Sequence, residues 1–75
     1  MVIELDVTEK IRNCPYCGSK PQRLYGVENG RYWIWCNNSE CDVQPATSLY
    51  KNEGADIKYW NRLAKLAGQI LHNGQ

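Results

Sequence analysis

The 75-residue sequence contains no phenylalanine, one histidine and one methionine, and it lacks any long run of apolar residues. A helix that crosses a membrane needs about 20 consecutive apolar residues, so we expect no membrane-spanning segment. Catalytic metal sites commonly use histidine or carboxylate ligands and keep one coordination position open. The lone histidine, His72, lies near the C-terminal end, where we expect it to face solvent. The sequence also shows no nucleophile beside a base and no glycine-rich phosphate loop. These absences predict that the chain is not an enzyme.

The first residues lack the features of a secretion signal, because Met1-Val2-Ile3 runs directly into Glu4 without a basic start or an apolar stretch. We therefore expect a soluble, cytoplasmic protein whose cysteines stay reduced. No repeat, low-complexity tract or linker divides the chain, so residues 1–75 should form one domain. A domain of this size buries little apolar core and usually needs a metal ion or disulfides to stabilise it.

Four cysteines are present, in two pairs. The segment Cys14-Pro15-Tyr16-Cys17-Gly18 has the spacing of a zinc knuckle, in which Pro15 stiffens the turn and Gly18 can take the left-handed conformation that directs backbone N–H groups toward the sulfurs. The second pair has four residues between its cysteines, which is within the usual range for ligands. The pattern predicts one structural Zn²⁺ site with a closed shell of four thiolates, and its ligands are Cys14, Cys17, Cys36 and Cys41.

Two other readings of the cysteines remain open at this point. Two disulfides would suit a secreted protein, and a redox-active C-x-x-C motif would suit a chain with a βαβ pattern and no second pair. The sequence also leaves open whether iron can replace zinc. If the site holds a structural metal, its binding energy becomes folding energy, so the metal-free chain should be largely unfolded around the site.

Charge is unevenly distributed along the chain, although the net charge is only +1. Residues 1–9 carry acidic side chains alone, whereas residues 10–31 carry five basic side chains against the single acidic Glu28. The basic residues either compensate the negative charge of a Zn²⁺ ion bound by four thiolates or form a binding surface.

The pattern of apolar residues predicts β-structure through the first two thirds of the chain. Val2–Thr8 alternates, which predicts an edge strand or an ordered arm within residues 1–11. Within the zinc ribbon proper, residues 12–51, the segments Pro21–Glu28 and Arg31–Cys36 predict a hairpin with a tight turn at Asn29-Gly30. The segment Val43–Tyr50 predicts a third strand at a sheet edge, where its proline is tolerated.

The second hairpin strand has two different faces. One face must pack on the helix described next, and the other would present aromatic rings beside an arginine. The latter face is either covered by the N-terminal arm or able to stack on bases or contact a protein. The first face contains Tyr32, Ile34 and Cys36, and the second contains Arg31, Trp33 and Trp35.

Residues 53–72 predict a helix, because apolar residues recur at spacings of three and four. Ser48 or Asn52 is the predicted N-cap, and the helix should end at Asn73-Gly74. The small residues Ala64, Ala67 and Gly68 offer a surface for self-association. A basic stripe on the opposite side is either a solvated face or a phosphate contact, and it consists of Lys58, Arg62 and Lys65.

The combination of knuckle and helix resembles the Lar-like restriction alleviation family, which consists of small phage and prophage zinc-ribbon proteins. The resemblance rests on Cys14-Pro15-Tyr16-Cys17-Gly18-Ser19, an aromatic strand that ends in a second cysteine pair, and the helix segment Ala55–Arg62 with Trp60-Asn61-Arg62. It covers about residues 12 to 63. The resemblance implies that the four cysteines bind zinc, that Trp60 packs on the ribbon, and that Asn61 and Arg62 matter locally.

The sequence thus predicts a small α+β zinc ribbon, with a hairpin of two to three antiparallel strands and one C-terminal helix. The resemblance implies an accessory protein that binds a host restriction–modification complex and shifts it from cleavage toward methylation. The alternative is a nucleic-acid-binding zinc module, and the oligomeric state stays open. The candidate partner or nucleic-acid surface consists of Arg23, Arg31, Trp33, Trp35, Lys58, Arg62 and Lys65.

Overall fold

The computed structural model of the chain describes residues 1–7 and 10–73. Three strands form one antiparallel sheet in the order β1-β2-β3, and a C-terminal helix packs against β3. The predicted α+β class is therefore confirmed. Within the described residues, no helix has the length and apolar character needed to span a membrane. The elements are β1 Val2–Leu5, β2 Gln22–Gly26, β3 Arg31–Trp35 and α1 Ala55–Asn73.

The N-terminal segment forms an edge strand. β1 is hydrogen-bonded to β2 in an antiparallel register that places Glu4 opposite Leu24. It ends at Leu5, because Asp6 and Val7 do not continue the predicted strand; Thr8 lies outside the described residues. Because β1 extends the sheet at its edge, residues 2–5 lie beside β2 and not across the face of Trp33 and Trp35.

The turn between β2 and β3 occupies four residues, 27–30, instead of the two predicted. Gly30 takes the expected positive φ of 65° and donates its N–H to the carbonyl of Gly26 at 2.8 Å. Asn29 does not have a positive φ; its side-chain oxygen instead accepts a hydrogen bond from the N–H of Arg31 at 3.1 Å. A side-chain acceptor thus completes a wider turn.

Residues 43–50 lie beside β3 but do not form the predicted third strand, because only isolated bridges join the two segments. The N–H of Ile34 donates to the hydroxyl of Thr47 at 3.0 Å, where a regular ladder would use a backbone carbonyl. Tyr32 pairs with Tyr50 through two backbone bonds of 2.7 and 2.9 Å. Ile34 is bonded to Thr47, and Tyr32 is bonded to Tyr50. These two contacts are two residues apart on β3 but three residues apart on the neighbouring segment, so one extra residue in that segment interrupts the ladder.

The helix α1 begins at Ala55, two residues later than predicted. Gly54, with φ of 94°, precedes it, and its carbonyl accepts the first helical hydrogen bond from the N–H of Lys58 at 3.0 Å. Gly54 is therefore the N-cap, and the prediction of Ser48 or Asn52 is wrong. A glycine is favoured there because the backbone conformation strains other residues.

The C-terminal end of α1 lies at the limit of the described residues. The helix is described as far as Asn73, so the predicted stop at Asn73-Gly74 stays a prediction. Gly74 and the side chain of His72 lie outside the described residues. Ala64 and Ala67 are buried, so they do not offer the exposed small-residue surface that the sequence predicts.

The core lies between the sheet, the helix and the two cysteine loops. The inner face of the sheet, which carries Arg23 and Ile34, points toward the helix, and Trp60 and Ile34 are fully buried there. The outer face has no helix or strand packed on it within the described residues. The outer face carries Gln22, Leu24, Arg31, Trp33 and Trp35. The buried core residues are Ile11, Cys14, Ile34, Cys36, Cys41 and Trp60.

Candidate metal centre

The hairpin brings the four cysteines together at one end of the sheet. Cys14 and Cys17 precede β2, Cys36 follows β3 directly, and Cys41 lies in the loop after it. All four sulfurs lie within 4.8 Å of one another, at 3.9 Å for Cys14–Cys41 and 3.5 Å for Cys17–Cys36. Four thiolates bound tetrahedrally at about 2.3 Å would lie about 3.8 Å apart. The cysteines are free thiols, so the structure favours a metal site over disulfides.

The first cysteine loop has the backbone geometry that the sequence predicts. Gly18 has a φ of 78°, and its N–H donates to the carbonyl of Cys14 at 2.8 Å. The N–H of Cys14 donates in turn to the carbonyl of Ser19 at 2.8 Å. This arrangement turns the N–H and hydroxyl of Ser19 toward the sulfur of Cys17, which lowers the pKa of that thiol to about 6.

The second cysteine loop is organised by Asn38, which the sequence analysis did not single out. Its side-chain oxygen accepts a hydrogen bond from the N–H of Glu40, and its carbonyl accepts one from the N–H of Cys41, each at 3.0 Å. Its side-chain nitrogen donates to the hydroxyl of Ser19 at 3.0 Å. Asn38 therefore shapes its own loop and joins it to the first. The sequence feature that could have identified Asn38 is its position shortly after a ligand cysteine, because asparagine favours such turns.

Gln44 is the second residue that sequence reasoning missed. It is the only non-glycine residue with positive φ, at 45°, in the described part of the chain. Its N–H donates to the sulfur of Cys41 at 3.4 Å, and its side-chain nitrogen donates to the carbonyl of Asn38 at 3.1 Å. Gln44 thus gives the second loop an N–H···S contact, and its positive φ corresponds to that of Gly18 in the first loop.

Hydrogen bonds to a sulfur lower the pKa of the thiol, whereas burial raises it. Loss of solvent raises the pKa of Cys36 to about 12 and raises the pKa of Cys14 above its ordinary value. Cys17 is the more exposed ligand and the one most readily ionised. Four sulfurs in this arrangement can hold one metal ion, and they leave no protein-defined open coordination position for a substrate.

The structure removes Arg23 from the candidate binding surface. Arg23 lies on the inner face, where its Nε and Nη2 atoms donate to the two carboxylate oxygens of Asp56 at 2.8 and 3.2 Å. Asp56 is fully buried in the first turn of the helix. Its charge therefore sits at the positive end of the helix dipole and beside a guanidinium, which joins sheet to helix. The guanidinium also lies over the ring of Tyr32, 5.3 Å from its centre.

The remaining candidate surface residues lie in two separate places. Arg31, Trp33 and Trp35 share the outer face of the sheet and are half-buried; the indole N–H of Trp35 donates to the side-chain oxygen of Gln22 at 2.8 Å. The other group lies on the helix and is exposed to solvent, and it consists of Lys58, Arg62 and Lys65.

The tryptophan and asparagine of the helix motif contact the segment that leads into the first cysteine loop. The indole N–H of Trp60 donates to the carbonyl of Arg12 at 2.8 Å, and Trp60 has 0% of its surface exposed. Asn61 accepts a hydrogen bond from the N–H of Arg12 at 2.9 Å and donates one to the carbonyl of Lys10 at 2.6 Å. These bonds fix the backbone two residues before Cys14. Arg62, by contrast, is exposed.

Comparison of the chain with models of protein families, with curated proteins and with solved structures finds no significant match.

Proposed function

We propose that this chain is a non-enzymatic phage or prophage accessory protein, resembling the Lar-like family, that acts in the host cytoplasm. It would bind a restriction–modification complex and shift it from cleavage toward methylation. The supporting observation is that the two motifs behind the resemblance form one structural unit. Trp60 and Asn61 hold residues 10–12, and these lead directly into the cysteine loop that begins at Cys14.

We further propose that the metal is a single structural Zn²⁺. A donor set of four thiolates in tetrahedral spacing suits zinc, with iron as the competitor. Native mass spectrometry of freshly purified protein should show the added mass of one zinc ion. A strong chelator should remove that mass together with the folded charge-state envelope. A mass that shows iron, or a chain that stays folded without metal, would reject this assignment.

The functional proposal is tested by plating unmodified phage on restricting cells that express the protein. We expect plating efficiency to rise relative to cells with an empty vector, and to rise much less with the metal-site variant Cys17→Ser. The exposed turn variant Val27→Glu serves as a matched control, because it leaves the metal centre and helix contacts intact. If plating is unchanged while the folded protein accumulates in the cells, restriction alleviation is rejected.

A second candidate function is nucleic-acid binding, and the outer face of the sheet favours it. Arg31 and the rings of Trp33 and Trp35 lie together on a face that no described helix or strand covers. Bases could stack on such rings while the arginine contacts phosphate. This candidate predicts affinity that falls steeply with salt and weakens in Trp33→Ala or Arg31→Ala. An absence of binding to single- or double-stranded DNA or RNA at low salt would reject it.

A further inference from the structure

One side of the helix carries apolar side chains that remain exposed after the core has formed. Tyr59 and Leu66 are 46% and 49% exposed, and Leu63 between them is half-buried. These positions follow the spacing i, i+4, i+7, which places them along one face of a helix. They form a continuous apolar seam, and we call it, with its flanking basic residues Lys58, Arg62 and Lys65, the helix patch.

The seam lies in an open groove instead of on a convex ridge. One hollow of about 340 Å³ is lined by Tyr59, Arg62, Leu63 and Leu66. A second, of about 180 Å³, shares Tyr59 and Arg62 with the first and reaches Tyr50, whose ring lies 5.8 Å from that of Tyr59. Two hollows that share their lining residues make a groove along the helix, which a second helix could enter.

The charge around the groove has one sign. Lys58, Arg62 and Lys65 are exposed, and none of them forms an ion pair with any residue that the structure describes. The sequence of α1 contains a single carboxylate, Asp56, and it is buried against Arg23. A second copy packed helix to helix would bring the three cations of each copy together, which is unfavourable. A nucleic acid would satisfy the cations but would leave the leucine seam without an apolar partner.

We propose that the helix patch binds an amphipathic, acidic helical segment of a partner protein. Apolar residues of the partner would fill the groove over Tyr59, Leu63 and Leu66, and carboxylates along its edges would pair with Lys58, Arg62 and Lys65. The proposal deepens the proposed function by describing the chemistry of its protein partner, and it shares with that function only the assumption that the partner is a protein.

The test uses the purified, metal-loaded protein and a synthetic helical peptide of about 20 residues, with leucine in a heptad repeat and glutamate at the flanking positions. The control peptide has the same leucines and lysine in place of every glutamate. We expect the acidic peptide to bind at least about tenfold more tightly, with an affinity that falls as salt is added. Its NMR shift changes should cluster at the helix patch. Equal binding of the two peptides, or shift changes on another face, would overturn the proposal.

Two substitutions examine the two parts of the patch separately. Leu66→Glu should weaken binding of the acidic peptide by at least about tenfold, because it places charge in the apolar groove. Val27→Glu is the matched control, since Val27 is 47% exposed in the hairpin turn and does not line the groove; this variant should bind the peptide as the unmodified protein does. Arg62→Glu should reduce the preference for the acidic peptide, because it replaces one of the three cations of the patch by an anion. An unchanged preference in Arg62→Glu would contradict the assignment.

The alternative occupants appear as separate results of the same experiment. A dimer at high protein concentration that is lost in Leu66→Glu would overturn the proposal in favour of a second copy. If duplex or single-stranded DNA changes the NMR signals of Lys58 and Arg62 more than the acidic peptide does, the proposal is overturned in favour of nucleic acid. If the peptide does not bind but plating efficiency rises, the helix-patch proposal is rejected and restriction alleviation stands. If the peptide binds but plating efficiency is unchanged, the helix-patch proposal stands and restriction alleviation is rejected.

Discussion

The inner and outer faces of the sheet are built from alternate residues of the same strands, and they use their basic side chains in different ways. Arg23 lies on the inner face and donates two hydrogen bonds to the buried carboxylate of Asp56. Arg31, on the neighbouring strand, lies on the outer face and forms no ion pair with a described residue. Both belong to the stretch of residues 10–31 that is basic in sequence. A basic stretch in a β-hairpin therefore does not define a basic surface, because every second side chain points inward.

The largest expected effect comes from removing one ligand of the metal centre, whose cysteines belong to the buried core that the inner face also lines. Cys17→Ser should lose the metal and most of the fold, because the binding energy of a structural metal, on the order of 10 kcal/mol, is folding energy in so small a domain. NMR dispersion and native mass should be lost together.

Tyr16→Ala in the same loop is the control for this prediction. Tyr16 is exposed and leaves all four sulfurs in place, so the variant should keep its metal and its dispersed spectrum. A native, dispersed spectrum in Cys17→Ser would show that sheet and helix packing suffices without a complete metal site.

The next largest effect should come from the buried ion pair. Asp56→Ala leaves the guanidinium of Arg23 buried without its partner and should lower the free energy of unfolding by about 3–5 kcal/mol. Arg31→Ala on the outer face should change it by less than about 0.5 kcal/mol. Denaturant unfolding of the metal-loaded proteins measures both values. Similar losses in the two variants would remove the distinction between the faces.

A double variant distinguishes the penalty of an unpaired charge from the contribution of the pair. Arg23→Met combined with Asp56→Leu replaces both charges by apolar side chains of similar size. It should recover much of the stability that Asp56→Ala loses, because no charge is left buried. A double variant as unstable as Asp56→Ala would show that the pair itself, including its place over Tyr32, stabilises the fold.

Much of the metal centre could be predicted from sequence because its first half is local. The spacing from Cys14 to Cys17 and the glycine that follows determine one turn, and the structure has that turn, with Gly18 at positive φ. The hairpin that carries the two cysteine pairs together was also predictable, because its second strand consists of residues with high β-preference. Local rules of this kind require no knowledge of distant parts of the chain.

The parts that sequence reasoning missed depend on distant contacts. Asn38 bonds to Ser19, and Asp56 binds Arg23 across the interface between sheet and helix. Nothing in the neighbourhood of Asp56 distinguishes it from an ordinary acidic residue near a helix start. Thr47 is a further example of a side chain whose role local patterns do not predict. Its β-preference favours a strand, but its hydroxyl takes the place of a backbone acceptor and the ladder ends there. These side chains are placed by tertiary packing, which local patterns do not encode.

Acid should weaken metal binding by the four cysteines. The burial of Cys14 and Cys36 determines how steeply the metal affinity depends on pH. The pKa of Cys36 is raised to about 12 and that of Cys14 is also raised, so both are protonated at neutral pH in the metal-free protein. Metal binding must displace these two protons, hence each unit of acidification should lower affinity by about a factor of a hundred or more. Below a pH of about 6, protonation of Cys17 should make the dependence steeper.

Chelator competition between pH values of about 6.5 and 7.5 measures this slope, with the free metal concentration held constant. The outer-face variant Trp33→Ala is the control, because it changes no ligand and should give the same slope as the unmodified protein. An affinity that changes by a factor of about ten or less per pH unit would mean that at least one of the buried thiols is already ionised without metal.

The smallest effect concerns two neighbours on the helix that differ in the same way as the two faces of the sheet. Asn61 makes two hydrogen bonds to the backbone of residues 10–12, whereas the side chain of Arg62 is exposed. Asn61→Ala should lower the free energy of unfolding by about 1–2 kcal/mol and speed hydrogen exchange at Arg12, whose N–H loses its acceptor. Arg62→Ala should leave both quantities nearly unchanged. If the two variants behave alike, the asparagine is not what holds the helix to the segment before Cys14, and the indole of Trp60 must do so alone.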